Sequence, residues 1–250
     1  HEEEHQRWRR DWHARALSPA QAEFVVGDFR GVHFRGPSSE AWLRGEAPTG
    51  ATPARYLMRT RGPNGALGDY PIHYVIGGRR MQDTLTVLPD GRFQVLPVYY
   101  HVSGQAGPGG IGAEGRRGWV DYTESKQGAL TPEHPFFWAN FRRTANHECL
   151  DCHTTGLRVS YTPAPGGGRF KTEWQDAGVA CESCHGPGAR HARTRASADI
   201  IHPSDVPPEV GLALCAQCHG PRTPLFPLFD AAHRFQPGGR YDDAYQALVV

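Results

Sequence analysis

Two patterns of hydrophobic and polar positions divide the first hundred residues of the chain. Residues 1–17 are polar and charged, and Trp8 and Trp12 would lie on one side of a helix. Residues 24–102 instead carry apolar residues in the short runs that are typical of strands. The pattern predicts an N-terminal helix that stops at Pro19, followed by a β region.

Glycine-rich turns separate the strands that the β region predicts. The apolar runs 56–58 and 70–76 flank a Gly-Pro-Asn-Gly turn, and the runs 85–88 and 93–96 flank a Pro-Asp-Gly turn. Asp-Gly supplies the positive φ that a tight hairpin turn requires. We therefore expect a small antiparallel meander over residues 24–102.

The second half of the chain has weaker patterns. An aromatic segment over residues 132–146 predicts a short helix, whereas the glycine-rich stretches 104–118 and 163–168 predict loops. The fold class expected is α+β, a small antiparallel β meander followed by a mostly helical or irregular domain. The predicted parts are an N-terminal helix over 1–20, a β-rich insertion over 21–125 and the last domain over 126–250.

The pattern Cys-x-x-Cys-His occurs three times and uses all six cysteines of the chain. This is the motif that attaches c-type haem: the two thiols form thioethers, and the histidine becomes the proximal iron ligand. We expect three covalently bound haems c in the last domain, and such redox centres indicate electron transfer. The copies are Cys149, Cys152 and His153; Cys181, Cys184 and His185; and Cys215, Cys218 and His219.

Other uses of paired cysteines compete with haem attachment. Two pairs can build a structural zinc site, and six cysteines can form three disulfides. Neither use explains a histidine directly after every second cysteine, and three pairs exceed the four ligands of one zinc ion. A redox-active pair of the thioredoxin type would need a context of alternating strands and helices. Haem attachment is therefore favoured.

Composition narrows the partners and the compartment. The formal net charge of +1 gives no indication of nucleic acid binding. No apolar run reaches membrane-spanning length. Only 38% of the residues are hydrophobic, and the haems are expected to supply apolar core. Haem of this kind is attached outside the cytoplasm, and a chain without spare cysteines suits an oxidising compartment, so we expect a periplasmic or extracellular protein.

The remaining histidines are candidates for the sixth iron ligand. Methionine ligation is not expected, because Met58 and Met81 both lie in the strand region. His191 follows His185 across a Gly-Pro-Gly turn that lets it face a neighbouring haem. His13 lies next to aromatic residues that could pack along a porphyrin. The weaker candidates are His233, His147, His134, His101 and His73, and the two without supporting context are His33 and His202.

These motifs and their flanks resemble the multihaem cytochromes of the cytochrome c554 type, in particular the branch often fused to tetratricopeptide repeats. The resemblance rests on residues 149–157, 181–191 and 215–219, and its most specific part is CxxCH-Gly-Pro-Gly-x-x-His. Residues 74–83 and 88–95 also resemble the β insertion of that branch. The resemblance covers most of the chain and implies a multihaem fold.

The resemblance also implies ligands for the irons. That family begins with another CxxCH, followed by a helix with Trp and then His-Ala. His1 therefore resembles the histidine of a first motif whose cysteines are not in this sequence, and a fourth haem is implied. By the same resemblance, His13 would ligate the haem of His185, and His191 the haem of His219.

Three functions follow from these features. The first is an electron carrier without catalytic residues, whose haems pass electrons to other redox proteins or haem subunits. The second is a haem enzyme, since the haem of His153 would correspond to the five-coordinate haem of cytochrome c554 and could bind a small nitrogen compound. The third is a redox subunit of a larger complex or filament. The residues expected near an open haem face are His134, His147, Arg142 and Arg143.

Overall fold

The structure is a computed structural model that describes residues 1–102, 117–123, 128–227 and 231–248. Most of the predicted loop 104–118 lies outside the described residues, although Gly118 begins a strand. The predicted boundary between residues 125 and 126 lies outside them as well.

Strands dominate the first half of the chain, and short helices and hairpins share the second. The first half contains α1 (Glu2–Trp8), β1 (Leu17–Pro19), β2 (Arg30–Arg35), β3 (Glu40–Glu46), β4 (Arg55–Arg61), β5 (Leu67–Pro71), β6 (Tyr74–Gly77), β7 (Met81–Val87), β8 (Phe93–Val95), β9 (Val98–His101) and β10 (Gly118–Asp121). The second half contains α2 (Cys149–His153), β11 (Thr154–Thr155), β12 (Arg158–Thr162), β13 (Arg169–Glu173), β14 (Asp176–Ala177), α3 (Glu182–His185), α4 (Ala189–Thr194), α5 (Pro208–Ala216), β15 (Arg222–Pro224) and β16 (Tyr245–Ala247). Single 3-10 turns occur at Phe141–Arg143, Ser197–Asp199, Ala231–His233 and Tyr241–Asp243.

Strands β2 to β5 form the predicted antiparallel meander, in the order β2-β3-β4-β5. One face of this sheet is buried because alternate residues point inward: Ala41 and Leu43 on β3, and Met58 on β4, are fully buried. The Gly-Pro-Asn-Gly turn joins β4 to β5, as predicted.

A second sheet contains the remaining strands of the β region. Its order is β1-β6-β7-β9-β10, and β8 pairs with β7. The prediction of one meander over residues 24–102 was therefore wrong. The run 70–76 divides between the two sheets, because Ile72 donates its backbone N–H to Tyr56 in the first sheet and His73 donates to Leu85 in the second.

The Asp-Gly hairpin between β7 and β8 is confirmed. Leu88 and Arg92 close the turn with an N–H to carbonyl bond of 2.8 Å, and Gly91 has φ of +82°. A Cβ atom at Gly91 would also collide with the carbonyl oxygen of Phe170. Only glycine fits this position, for its backbone angle and for the close approach of another strand.

The six-stranded sheet is buried on both faces, because each face packs against a different hydrophobic cluster. Val75 packs with Leu43 and Met58 of the first sheet. Its neighbour Ile76 points to the other face and packs with Leu150 and residues around it in the second half of the chain. The β region and the segment with the first Cys-x-x-Cys-His motif therefore share one protein core.

The N-terminal helix is shorter than predicted. It ends at Trp8, and the Asp11 carboxylate accepts the backbone N–H of His13 in a local turn that competes with helix formation. Leu17 and Pro19, expected to end the helix, lie in β1 and pair with β6. The predicted helix is therefore present only at the N-terminal end of the segment, over Glu2–Trp8.

The predicted helix over residues 132–146 is a series of turns with one 3-10 turn, Phe141–Arg143. The amide of Gln94 donates to the carbonyl oxygens of Trp138 and Asn140, and the Asn140 side chain accepts the backbone N–H of Arg142. These side chains occupy backbone groups that a helix would use internally.

Candidate haem sites

Each Cys-x-x-Cys-His motif forms a single helical turn. The first motif is α2, and the second places His185 N–H 2.9 Å from the carbonyl oxygen of Cys181. The third closes the end of α5, where His219 N–H lies 2.8 Å from the Cys215 carbonyl oxygen. Residues three and four apart lie on one face of such a turn, so both thiols and the histidine of each motif face the same side.

The three motifs contact one another through the residues between their cysteines. Ser183 of the second motif lies 2.8 Å from the hydroxyl oxygen of Thr155, which follows the first motif. The backbone carbonyl of Ser183 accepts the side-chain amide of Gln217, from the third motif, at 3.0 Å. The Cys218 sulfur lies 3.9 Å from the Cys152 carbonyl oxygen. The three attachment segments therefore form one packed unit.

A cavity of about 880 Å³ lies beside this unit. Its walls include sulfur-bearing residues of all three motifs together with His153 and His219. Trp12 and His13 from the N-terminal segment line it too. The cavity is a concave space bordered by apolar residues and thiols, which fits a flat apolar cofactor attached through cysteines.

Four of the five predicted iron ligands present the same ring nitrogen for coordination. A carbonyl or carboxylate oxygen can only accept, so a ring Nδ1 bonded to it carries the proton and leaves Nε2 with a free lone pair. Such a partner orients a metal-binding imidazole. The Nδ1 atoms and their acceptors are His13 with Asp11 at 2.9 Å, His153 with Ala16 at 2.9 Å, His185 with Ile201 at 2.7 Å and His191 with Ala196 at 2.9 Å.

Two of the weaker candidates have the opposite arrangement. The Nδ1 atom of His73 accepts the backbone N–H of Val87 at 3.2 Å, and that of His134 accepts the N–H of Phe136 at 3.1 Å. In the neutral ring these bonds leave the proton on Nε2, which then has no lone pair for a metal. The bonding of Nδ1 thus separates the stronger candidates from these two.

The structure brings together different histidine pairs from those that the resemblance implies. The Nε2 atoms of His1 and His191 lie 3.3 Å apart, and their rings are stacked. The ring centroids of His13 and His219 are 6.1 Å apart and their planes are perpendicular. Two imidazole nitrogens bound to opposite sides of one metal would be about 4 Å apart, at about 2 Å per bond. The His1–His191 pair is close to that separation.

Sequence analysis missed the turn between β6 and β7 as part of the cavity wall. Residues 77–81 also line the cavity, and they include Met81, which had been set aside because it lies in the strand region. The carbonyl oxygen of Ala16 accepts the N–H of Gly77 at 3.2 Å as well as Nδ1 of His153. Two exposed arginines, Arg79 and Arg80, stand on this turn. The Gly-Gly-Arg-Arg sequence is the signal from which this turn could have been identified.

The residues expected near an open haem face lie outside the described lining of this cavity, and their role near a haem stays a prediction. Among the described residues, the cavity lining contains none of these four. The guanidinium of Arg143 lies 4.4 Å above the ring centroid of Tyr122, and the ring of His147 packs against Phe170. Their positions follow from the irregular path of residues 132–146. The four residues expected near an open haem face are His134, His147, Arg142 and Arg143.

Burial controls the ionisation of the first motif. Burial lowers the pKa of His153, which keeps the imidazole neutral as a metal ligand must be. Burial raises the pKa of the Cys149 thiol to about 12, and nearby Asp83 adds to that effect. A hydrogen bond with Cys218 lowers the pKa of Cys152.

The described residues contain neither a disulfide nor a converging set of zinc ligands. All six cysteines are described, and none forms a disulfide. Over the described ranges, no group of three His, Cys, Asp or Glu side chains converges as a metal site would require.

In the part of the chain that the structure describes, no helix combines the length and apolar character needed to cross a membrane.

Comparison with known proteins points to cytochromes. The family described as "Cytochrome c554 and c-prime" matches residues 123–186. The crystal structure of the outer cell wall cytochrome OcwA has a TM-score of 0.57 and 16% identity, over 99% of this chain and 43% of that chain. An undecaheme cytochrome from the S-layer of Carboxydothermus ferrireducens has a TM-score of 0.34 and 22% identity, over 59% of this chain and 18% of that chain.

No curated protein sequence matches the chain. The chain spans less than half the length of OcwA. Its sequence is similar to the cytochrome c554 and c-prime family over residues 123–186, and its fold is that of part of OcwA.

Proposed function

We propose that this chain is a multihaem c-type cytochrome that carries electrons between redox partners through closely packed, covalently bound haems. The observation that carries the proposal is the contact between the three attachment segments, made by Thr155, Ser183 and Gln217. Haems attached to segments in contact lie close together, as electron transfer between them requires. The family match over residues 123–186 supports the same function.

The proposal assigns the iron ligands by geometry. His153, His185 and His219 are the proximal ligands, and each follows the second cysteine of its motif. His13 is the distal ligand of the haem of His219, because their ring centroids lie 6.1 Å apart. His191 is the distal ligand of a further haem held by His1, because their Nε2 atoms lie 3.3 Å apart. The cysteines that would attach this further haem are not among the six of the sequence.

Intact mass and a pyridine haemochrome spectrum test the cofactor. Three covalent haems per chain, with a reversible redox titration, are expected. A chain without haem would refute the cofactor assignment. Three haems that cannot be reversibly reduced would refute the electron-carrier function while leaving the cofactor in place.

Electron paramagnetic resonance tests the distal ligands. We expect His13→Ala to convert one low-spin haem signal to a high-spin signal, because one iron loses its sixth ligand. His202→Ala is the matched control, since the His202 ring is exposed and contacts nearby Ser204 and Asp205. An unchanged low-spin spectrum in His13→Ala would contradict the assignment.

A second candidate function is chemistry on a small nitrogen compound at the haem of His153. The cavity beside His153 favours it, because the exposed cations Arg79 and Arg80 on its wall suit a small anion. A high-spin signal in the unaltered protein, with spectral shifts on adding nitrite or nitric oxide, is the expected result. Purely low-spin iron would eliminate this function.

The proposal also covers location and assembly. It places the chain in the periplasm or outside the cell, where haem of this kind is attached, with other redox proteins or haem subunits as partners. The fold shared with an outer cell wall cytochrome supports that location. The proposal also includes a relationship to the branch often fused to tetratricopeptide repeats. It further includes a role for the chain as one subunit of a larger complex. Light scattering of the haem-loaded protein, with and without a haem partner, tests the assembly.

A further inference from the structure

A buried charge cluster connects the first haem motif to the C-terminal part of the chain. Asp151, between the cysteines of the first motif, contacts Arg222 at 2.6 Å and Arg234 at 2.5 Å through its two carboxylate oxygens. The Asp151 side chain is only 5% exposed, and those of Arg222 and Arg234 are 10% and 20% exposed. Among the described residues, these two cations and one anion give the cluster one net positive charge.

Arg222 holds that positive charge beside a haem attachment atom. Its Nη2 atom lies 3.3 Å from the sulfur of Cys152. Its guanidinium carbon lies 3.9 Å above the ring centroid of Tyr245, and the pairing of β15 with β16 fixes both side chains. A guanidinium stays protonated in proteins, so this charge does not depend on pH.

We propose that Arg222 is a positioning residue whose fixed charge raises the reduction potential of the haem attached at Cys152. The inference rests on the proposed function. Reduction transfers one electron from the reductant in solution to Fe(III), which becomes Fe(II), and no proton moves to or from the cluster. A cation held at short range in a region of low dielectric favours the state that has gained the electron. Asp151 fixes the guanidinium and partly offsets its charge.

Charge variants of opposite sign test the proposal. Spectroelectrochemical titration of the haem-loaded protein should show one haem step at lower potential in Arg222→Met and at higher potential in Asp151→Asn. We expect each shift to be at least tenfold in the redox equilibrium constant, or 59 mV for one electron. Disturbed packing would admit water to the haem in both variants and would move both potentials downward.

The controls separate charge from structure. Arg222→Lys keeps the charge without the planar fork, and it should retain more than half of the effect lost in Arg222→Met. Arg55→Met removes an exposed arginine from the four-stranded sheet and should leave all potentials unchanged. If Arg222→Met does not load haem, the direction of the Asp151→Asn shift decides, because loss of the negative charge raises the potential whereas entry of water lowers it.

The outcomes also distinguish this inference from the function on which it rests. Equal shifts in the same direction, or no step that moves tenfold, would overturn the role of Arg222. A protein that carries three reversible haems with such unshifted steps would keep the proposed function. A protein without haem would remove both.

Discussion

Replacing Asp83 by asparagine should stabilise the protein at pH 8 and have little effect at pH 4. The Oδ1 atom of Asp83 is buried on β7 and has no hydrogen-bond partner among the described residues. Burial raises the pKa of this carboxyl from 3.8 to about 7, although nearby Arg143 acts in the opposite direction. The folded state therefore holds this proton more tightly than the unfolded chain does. The carboxyl lowers stability progressively as the pH rises from 3.8 to about 7.

The magnitude follows from the two pKa values. The difference between 3.8 and about 7, at 1.36 kcal/mol per pH unit, corresponds to about 4 kcal/mol above pH 7. Asp83 as a whole residue is partly exposed, which reduces the penalty. Asp83→Asn keeps the shape and removes the charge, so we expect the free energy of unfolding to rise by about 2–4 kcal/mol at pH 8 and by less than about 1 kcal/mol at pH 4.

Urea denaturation followed by tryptophan fluorescence at both pH values measures this difference. Asp69→Asn is the control, because Asp69 lies exposed on β5 and its contact with Arg44 is 3.4 Å long. An Asp83→Asn variant that gains equally at pH 4 and pH 8, or that loses stability at pH 8, would show that Asp83 is not a buried charge in the folded protein.

Three further substitutions test local features of the fold, each by urea denaturation. Gly91→Ala should lose about 2 kcal/mol or more, from the positive φ and the collision with a carbonyl oxygen, whereas Gly50→Ala, with φ of +57° and open space, should lose less; equal losses would contradict the close approach. Ser183→Ala should lose about 1 kcal/mol with its haem content unchanged, and a fall in haem content would mean that this contact is required for attachment. Trp138→Phe should lose about 1–2 kcal/mol, because the indole N–H donates to the Arg61 carbonyl oxygen at 2.7 Å; an unchanged stability would refute that bond.

Sequence patterns predicted the features that depend on neighbouring residues. The Asp-Gly hairpin requires one backbone angle at Gly91, which the local sequence supplies. The division of the run 70–76 between two sheets was not predictable, because it depends on bonds from Ile72 and His73 to strands far along the chain. An alternating pattern identifies strands but does not say which sheet each one joins.

The same distinction applies to the candidate haem sites. His13 and His191 obtain their Nδ1 partners from residues two and five positions away, so their suitability as ligands is a local property. Which histidines meet is decided by distance in the fold, and His1 meets His191 across 190 positions. The pairings that the family resemblance implies for these histidines stay predictions.

The carbonyl oxygen of Ala16 has a consequence for the order in which the molecule folds. It accepts a hydrogen bond from Nδ1 of His153, which lies 137 positions further along the chain. It also accepts a hydrogen bond from the backbone N–H of Gly77. Contacts of such high sequence separation form slowly, because a long loop must close before they stabilise anything. Under the proposed function, the β region can fix Ala16 early, while the first motif is still accessible for haem attachment. The orientation of His153 would then be completed late, as the chain closes around the attached haem.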